Sequence, residues 1–476
     1  MLFNSFEFCL FLPLCFLLYW FVFNKNLKIQ NGFILLISYI FYGWWDWRFL
    51  FLIFFSSSLD FYLGKRIFQE KHESRQKLLL CISVFFNLGL LVVFKYFNFF
   101  ITSFIDLFNL IGLSVNTYSI NIILPVGISF YTFQTLSYTI DIYKKKLKPT
   151  NDLVSFFAFV SFFPQLVAGP IERAQKLLPQ FSIERKFNLS VASDGIRQIL
   201  WGFFKKMVIA DNCAIYVNQV FGSNEVYDGS VLFLGGVVFA IQVYADFSGY
   251  SDIAIGIAKL FGFNLTINFR TPYFSTHWGE FWKRWHITLS SWILDYIYTP
   301  IVLSKRHLGK WGITLALMIT FMLNGLWHGA NWTYVIFGFV LGLYISIEFL
   351  LTKQRKKIKR RIGVKFYKVL GWAIIMFSWV AACILFRCVN ISHAVSYFSG
   401  IFNYSFFSMP SYLLSKPMLL IISIFFIFEW FQKNKDHTFD LSNFPMTFRW
   451  MSYLLIFFLI LSFGQFNYDE FIYFQF

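Results

Sequence analysis

The residue best placed for chemistry in this chain is His328, which ends an apolar run in Asn324-Gly325-Leu326-Trp327-His328-Gly329-Ala330-Asn331-Trp332. Gly325 and Gly329 flank it at the small-xxx-small spacing that lets a second helix, or a substrate chain, come close to the backbone. An imidazole buried without an anionic partner stays neutral, and a neutral imidazole is what a general base needs to take a proton from a hydroxyl. The same residue could instead only tie two helices together by a hydrogen bond, and the local pattern leaves both readings open. His286 is the second candidate, in Phe281-Trp282-Lys283-Arg284-Trp285-His286-Ile287-Thr288-Leu289-Ser290-Ser291-Trp292. There Trp282, Trp285, Leu289 and Trp292 recur at helical spacing and predict one aromatic stripe on an interfacial helix, with Lys283 and Arg284 turned toward phosphates. Those phosphates are either lipid headgroups, the commoner use of such cations, or those of a nucleotide-like acyl carrier.

Asp246 and Asp252, in Ala245-Asp246-Phe247-Ser248-Gly249-Tyr250-Ser251-Asp252, are the acids that stand out in apolar surroundings. They could orient a histidine or couple protons in a transporter, or Asp246 or Ser248 could simply cap a helix. His72, His307, His393 and His437 fall in or near loops and read as solvated, and His277 is undecided. Walker A, G-x-G-x-x-G, H-E-x-x-H and G-x-S-x-G patterns are missing from the sequence, so ATP-driven transport, nicotinamide redox, zincin proteolysis and the usual serine-hydrolase elbow lack their parts. The six cysteines include no C-x-x-C pair and predict neither a disulfide framework nor a zinc site.

The elements that must position these residues are membrane helices. Of 476 residues, 58% are hydrophobic and 14% charged, with a mean hydropathy of +0.60; a soluble domain of ordinary composition carries about 25% charged residues. The net charge of +17 fits basic loops on the cytoplasmic side better than a nucleic-acid partner. Apolar runs at 6–23, 49–64, 78–94, 152–169, 229–244, 311–327, 332–351, 366–386, 413–431 and 449–463 approach spanning length. The runs 32–43, 98–113, 120–138, 195–220 and 252–264 are ambiguous, which predicts about ten to twelve crossings. Pro125 and Gly127 mark 120–138 as a broken or re-entrant helix, tolerated at depth only beside protein or a wet cavity. The run 6–23 lacks signal-peptide flanks and should remain as a spanning helix. Clusters at Lys25 and Lys28, from Lys65 to Lys77, at Lys144–Lys148 and from Lys353 to Arg361 should face the cytoplasm, and the Trp-rich 42–47 segment the outer interface. No repeat or linker divides the chain, so residues 1–476 read as a single domain.

Taken in order, several strings resemble the membrane-bound O-acyltransferase family, in its alginate O-acetylation and D-alanyl-lipoteichoic-acid branch. They are Leu124 to Gln134, Phe-Pro-Gln…Ala-Gly-Pro-Ile at 163–171, Asp246 to Asp252, Phe281 to Trp292, Leu326-Trp327-His328-Gly329 and Phe471 to Phe476. The likeness is greatest to the alginate-type acetylases. It implies an all-α polytopic fold, with re-entrant and interfacial helices around a central tunnel. His328 would be the catalytic histidine near the middle of that tunnel, and His286 the second motif residue nearer the cytoplasmic mouth. Acetyl-CoA would enter from inside as donor substrate, with no tightly bound cofactor. The acetyl group would leave outside, onto a glycan hydroxyl or a periplasmic acetyltransferase partner, in a bacterial inner membrane. Asn324, Asn331 and Trp327 around His328, and Lys283 and Arg284 beside His286, are the candidate substrate-binding residues, with Asn324 or Asn331 as amide donor to the oxyanion. A D-alanyl transferase fed by a carrier protein and a non-enzymatic glycan or lipid transporter are the alternatives. The stretch 387–412 carries no resemblance.

Overall fold

The computed structural model describes residues 1–113, 122–222, 227–435, 437–466 and 471–472. Residues 120–121 of the expected broken run and 473–476 of the terminal hexapeptide lie outside the described residues. Among the described residues all regular structure is helical, as lipid demands of a backbone that must satisfy its own polar groups. Six helices of the described residues are long and apolar enough to cross a bilayer: Glu73–Leu110, Gly229–Leu260, Lys310–His328, Trp332–Leu350, Val364–Arg387 and Met446–Phe463. Only 17% of the apolar stretch of Glu73–Leu110 and 11% of that of Met446–Phe463 is buried within the protein. Their open faces carry Phe85, Leu88, Leu454, Leu455 and Phe458, a surface suited to hydrocarbon and not to water.

The chain forms two compact units, one of residues 1–199 with 253–266, the other of 200–252 with 267–476. In the first, Asp60 of Phe49–Gln69 accepts hydrogen bonds from Ser83 Oγ at 2.6 Å and Asn87 Nδ2 at 2.8 Å, both on Glu73–Leu91. Asn87 Oδ1 accepts in turn from Ser56 Oγ at 3.0 Å and from Thr135 Oγ1 of Ile128–Tyr143 at 3.2 Å. Three helices are thereby joined through a buried polar cluster, the usual adhesive where lipid supplies no hydrophobic drive. The break expected at Pro125 and Gly127 is present: Gly127 adopts φ +76° and the helix begins at Ile128. A Cβ there would lie 2.6 Å from the Leu166 carbonyl oxygen, so only glycine fits.

The run 152–169 does not form the expected spanning helix. It divides into Leu153–Ser161 and Phe163–Leu166 at Phe162, which is non-helical, because in a continuous helix Pro164 would have no N–H for the Val160 carbonyl and its ring would clash with it. The runs 78–94 and 98–113 join into one helical rod through a π-turn at Val92–Tyr96. Those at 229–244 and 252–264 join in Gly229–Leu260.

In the second unit, Lys310–His328 and Trp332–Leu350 form a tight helical hairpin. A Cβ at Gly325 would collide with the Tyr334 carbonyl oxygen and come within 3.0 Å of Gly338 Cα. The close approach read from the glycine spacing is therefore to the neighbouring helix, with Gly338 as partner. Gly329 lies beyond the helix, against the Tyr334 ring.

Asp246 and Asp252 sit inside Gly229–Leu260, so neither they nor Ser248 cap a helix. They face two lysines of a π-helical turn, Phe204–Ala210. Lys205 Nζ is 2.5 Å from Asp252 and 3.0 Å from Ser248 Oγ; Lys206 Nζ is 2.7 Å from Asp211 and 2.9 Å from Asp246. Buried charges persist only when so paired. These acids are the counter-ions of Lys205 and Lys206, which the sequence reading passed over.

Candidate active site

His328 is the last residue of its helix and is buried. His286 reaches the same place from a different kind of segment. The continuous aromatic helix expected over 282–292 does not exist: a short helix, Trp278–Phe281, is followed by a turn, and Ile287–Ile293 starts anew. The break is at His286 itself, whose φ of +42° is left-handed, a conformation costing about 1–2 kcal/mol for a residue with a Cβ. It persists because its surroundings over-determine it. Ile287 N–H donates to the Asn268 carbonyl at 2.9 Å and Arg270 N–H to the Arg284 carbonyl at 2.9 Å, so the turn is laced to the 268–270 segment. Trp285, Leu289 and Trp292 are consequently buried in protein and do not face lipid.

Asn268 also sets the chemistry of the ring. Its Oδ1 accepts from Thr288 Oγ1 at 2.9 Å and Thr288 N–H at 3.3 Å, and lies 3.1 Å from His286 Nδ1. With Oδ1 already established as an acceptor, Nδ1 must donate, which leaves the lone pair on Nε2. His286 lies outside the six spanning helices, and burial together with the nearby His328 holds its pKa well below the usual 6.5. It is neutral at physiological pH, with the tautomer of a base. Asn268 has no motif around it that would have identified it.

Both histidines line one cavity of about 280 Å³, together with Trp282, Trp285, Thr320 and Asn324. Trp327 bridges them, its ring centroid 6.1 Å from that of His286 and 5.0 Å from that of His328. Three buried polar atoms on these walls have no hydrogen-bond partner: Asn324 Oδ1, Thr320 Oγ1 and Trp282 Nε1. Such orphans cost about 1–3 kcal/mol each unless something enters to meet them. A second, smaller cavity of about 20 Å³ shares Trp282, Trp285 and His328 with the first. His328 thus contributes to the walls of both a roomy chamber and a narrow one.

The other expected residues lie elsewhere. Asn331 caps Trp332–Leu350 through Thr333 N–H at 3.0 Å, and its Nδ2 donates to the Val389 carbonyl at 2.7 Å. These bonds tie its side chain to the fold, and Asn331 does not line either cavity. Lys283 is exposed. Arg284 is paired with Glu280 at 3.2 Å and also donates to the Arg270 carbonyl. His277 caps Trp278–Phe281. His437, expected in solvent, is buried. Among the described residues no group of three or more His, Cys, Asp or Glu could hold a metal ion.

Residues 48–392 match the family model of the membrane-bound O-acyltransferases. A probable alginate O-acetylase AlgI of Pseudomonas putida is 35% identical over 402 residues, 83% of this chain and 79% of that protein. A peptidoglycan O-acetyltransferase of Helicobacter pylori is 32% identical over 419 residues, 82% of this chain and 77% of that protein. A teichoic acid D-alanyltransferase of Streptococcus thermophilus is 29% identical over 300 residues, covering 58% and 69%. By this match and these relatives, on a helical fold with apolar spans, the chain belongs to the membrane-bound O-acyltransferase family and is a multi-pass membrane acyltransferase.

Proposed function

We propose that the protein moves an acetyl group from cytoplasmic acetyl-CoA, through a tunnel crossing the bacterial inner membrane, to hydroxyls of an extracytoplasmic polysaccharide, directly or by way of a periplasmic acetyltransferase. In this reading residues 1–476 work as one acyltransferase domain crossing the membrane ten to twelve times, with the basic segment Lys353–Arg361 on the donor side. The observation that carries it is the meeting of His286, His328 and unpartnered polar atoms on one chamber. The relatives named for alginate and peptidoglycan O-acetylation support the choice of acyl group and acceptor class.

In the reaction a neutral imidazole takes the proton of the attacking hydroxyl while its oxygen bonds to the thioester carbon. The carbonyl oxygen gains charge and is met by the side-chain NH2 of Asn324 and the Trp282 indole N–H, both on the chamber's walls. The C–S bond then breaks, and the proton passes from the imidazolium to the departing thiolate, giving ester and free CoA thiol. His328 is assigned the base because it lines both cavities; His286, fixed by Asn268, assists from the wall of the larger one. The polar nucleotide never enters hydrocarbon, since only the acyl group crosses.

The test is to incubate the purified full chain with labelled acetyl-CoA and an envelope polysaccharide fraction, with and without periplasmic acetyltransferases, beside a His328→Ala variant of normal abundance. Label transfer by the parent and none by the variant is expected. Equal transfer by both rejects His328 as base; transfer only from an acylated carrier protein replaces the donor.

A further inference from the structure

We propose that the small cavity behind His328 is the acyl-chain subsite, and that Val243, Cys383 and Phe386 restrict the donor to a two-carbon acyl group. The proposal rests on the acyl-CoA reading above and adds to it the residues that choose the chain length.

A thioester carbon at His328 carries two substituents, the alkyl group and the sulfur of a long pantetheine arm, and His328 lines two cavities. They differ in size by more than tenfold, about 280 Å³ against about 20 Å³. The arm fits only the larger, which leaves the alkyl group to the smaller. A space of about 20 Å³ takes one water-sized group, enough for a methyl and too little for a propyl chain. Its walls favour hydrocarbon over a sugar. Val243 comes from Gly229–Leu260, Phe337 from Trp332–Leu350, and Trp379, Cys383 and Phe386 from Val364–Arg387. The Trp379 indole N–H, one of the polar groups on these walls, is already donated to Tyr273 Oη at 3.0 Å. Phe386 packs against two of the other rings on these walls, its ring centroid 5.4 Å from that of His328 and 5.2 Å from that of Phe337. All five are buried, so none of these walls faces lipid. An added methylene in such a pocket alters selectivity by about 10- to 200-fold.

The experiment uses the purified full chain with acetyl-CoA and butyryl-CoA in competition, reading the ratio of acetyl to butyryl esters formed on an envelope polysaccharide fraction. The parent should form acetyl esters almost alone. Phe386→Ala should shift the ratio toward butyryl by about tenfold or more. The gentler Val243→Ala/Cys383→Ala pair should shift it the same way by less, and serves if Phe386→Ala fails to accumulate. Cys383→Leu, which fills the space, should lower acetyl transfer at least tenfold. An unchanged ratio in the enlarged variants, from a parent that acetylates, overturns the subsite. A parent that uses neither thioester overturns the donor reading instead, a distinct failure recognised before any variant is made.

Discussion

The molecule holds two buried polar clusters that differ in how completely their atoms are paired. Around Asp60, both carboxylate oxygens are taken by Ser83 and Asn87, and the Asn87 amide is taken by Ser56 and Thr135. Around His328, Asn324 Oδ1, Thr320 Oγ1 and Trp282 Nε1 line a chamber and meet no protein group. A polar cluster that satisfies itself inside a membrane protein holds helices together, and one that leaves donors and acceptors facing a cavity is set for a guest. The contrast tells structure from chemistry where burial alone does not, since Asp60 and His328 are both buried.

The largest effect should come from the unsatisfied cluster. His328→Ala should reduce acyl transfer on the order of 10²- to 10⁴-fold, the usual contribution of a general base, with protein abundance unchanged; transfer within a factor of two of the parent would break the comparison. His286→Ala should follow. Asn268→Ala, which touches no substrate, should cost roughly tenfold, about 1.4 kcal/mol of barrier, and shift the pH profile because the ring loses its tautomer. The profile of the parent sharpens this further. Burial and His328 lower the His286 pKa below its ordinary 6.5, so the neutral base persists as pH falls through 6.5, and the acid limb of kcat/KM should lie below that value. An acid limb above 7 would mean a histidine stabilised in its charged form.

For the satisfied cluster the expectation reverses. Asn87→Ala strands the Asp60 carboxylate and the Ser56 and Thr135 hydroxyls, and should cost about 1–3 kcal/mol of stability. That cost would be seen as a lower melting temperature in detergent, with turnover per folded molecule unchanged. Smallest of all, Asn331→Ala removes a helix cap, about 1 kcal/mol, and should leave turnover of the surviving protein intact. A large loss of turnover there would return Asn331 to the site.

Composition and local pattern carried the membrane class, the position of His328 at a helix end, and the break at Gly127. Each follows from rules that act within a few residues: the apolar length needed to cross lipid, the missing Cβ of glycine and the helix-ending geometry around it. Asn268 could not be read this way. It is 18 residues from His286, and only the return of the chain places its Oδ1 on the ring. The aromatic spacing over 282–292 predicted a stripe, since periodicity assumes a continuous helix, but the hydrogen bonds that force His286 into a left-handed turn come from a distant segment. Asp246 and Asp252 stood out as acids in apolar surroundings for the same reason, their lysine partners being some 40 residues away.

What the amino-acid order determined by itself is that the chain lives in lipid and that a histidine lies at the foot of a glycine-lined hairpin, because hydrocarbon and backbone sterics act locally. Which polar atoms find partners, and which are left facing a cavity, was decided only when distant segments packed. That packing brought His286 beside His328, took Asn331 away into a cap, and set Phe386 on the wall of a narrow pocket. The reason is that hydrogen-bond satisfaction depends on neighbours in space, and one chain order is compatible with many sets of neighbours until the helices have met.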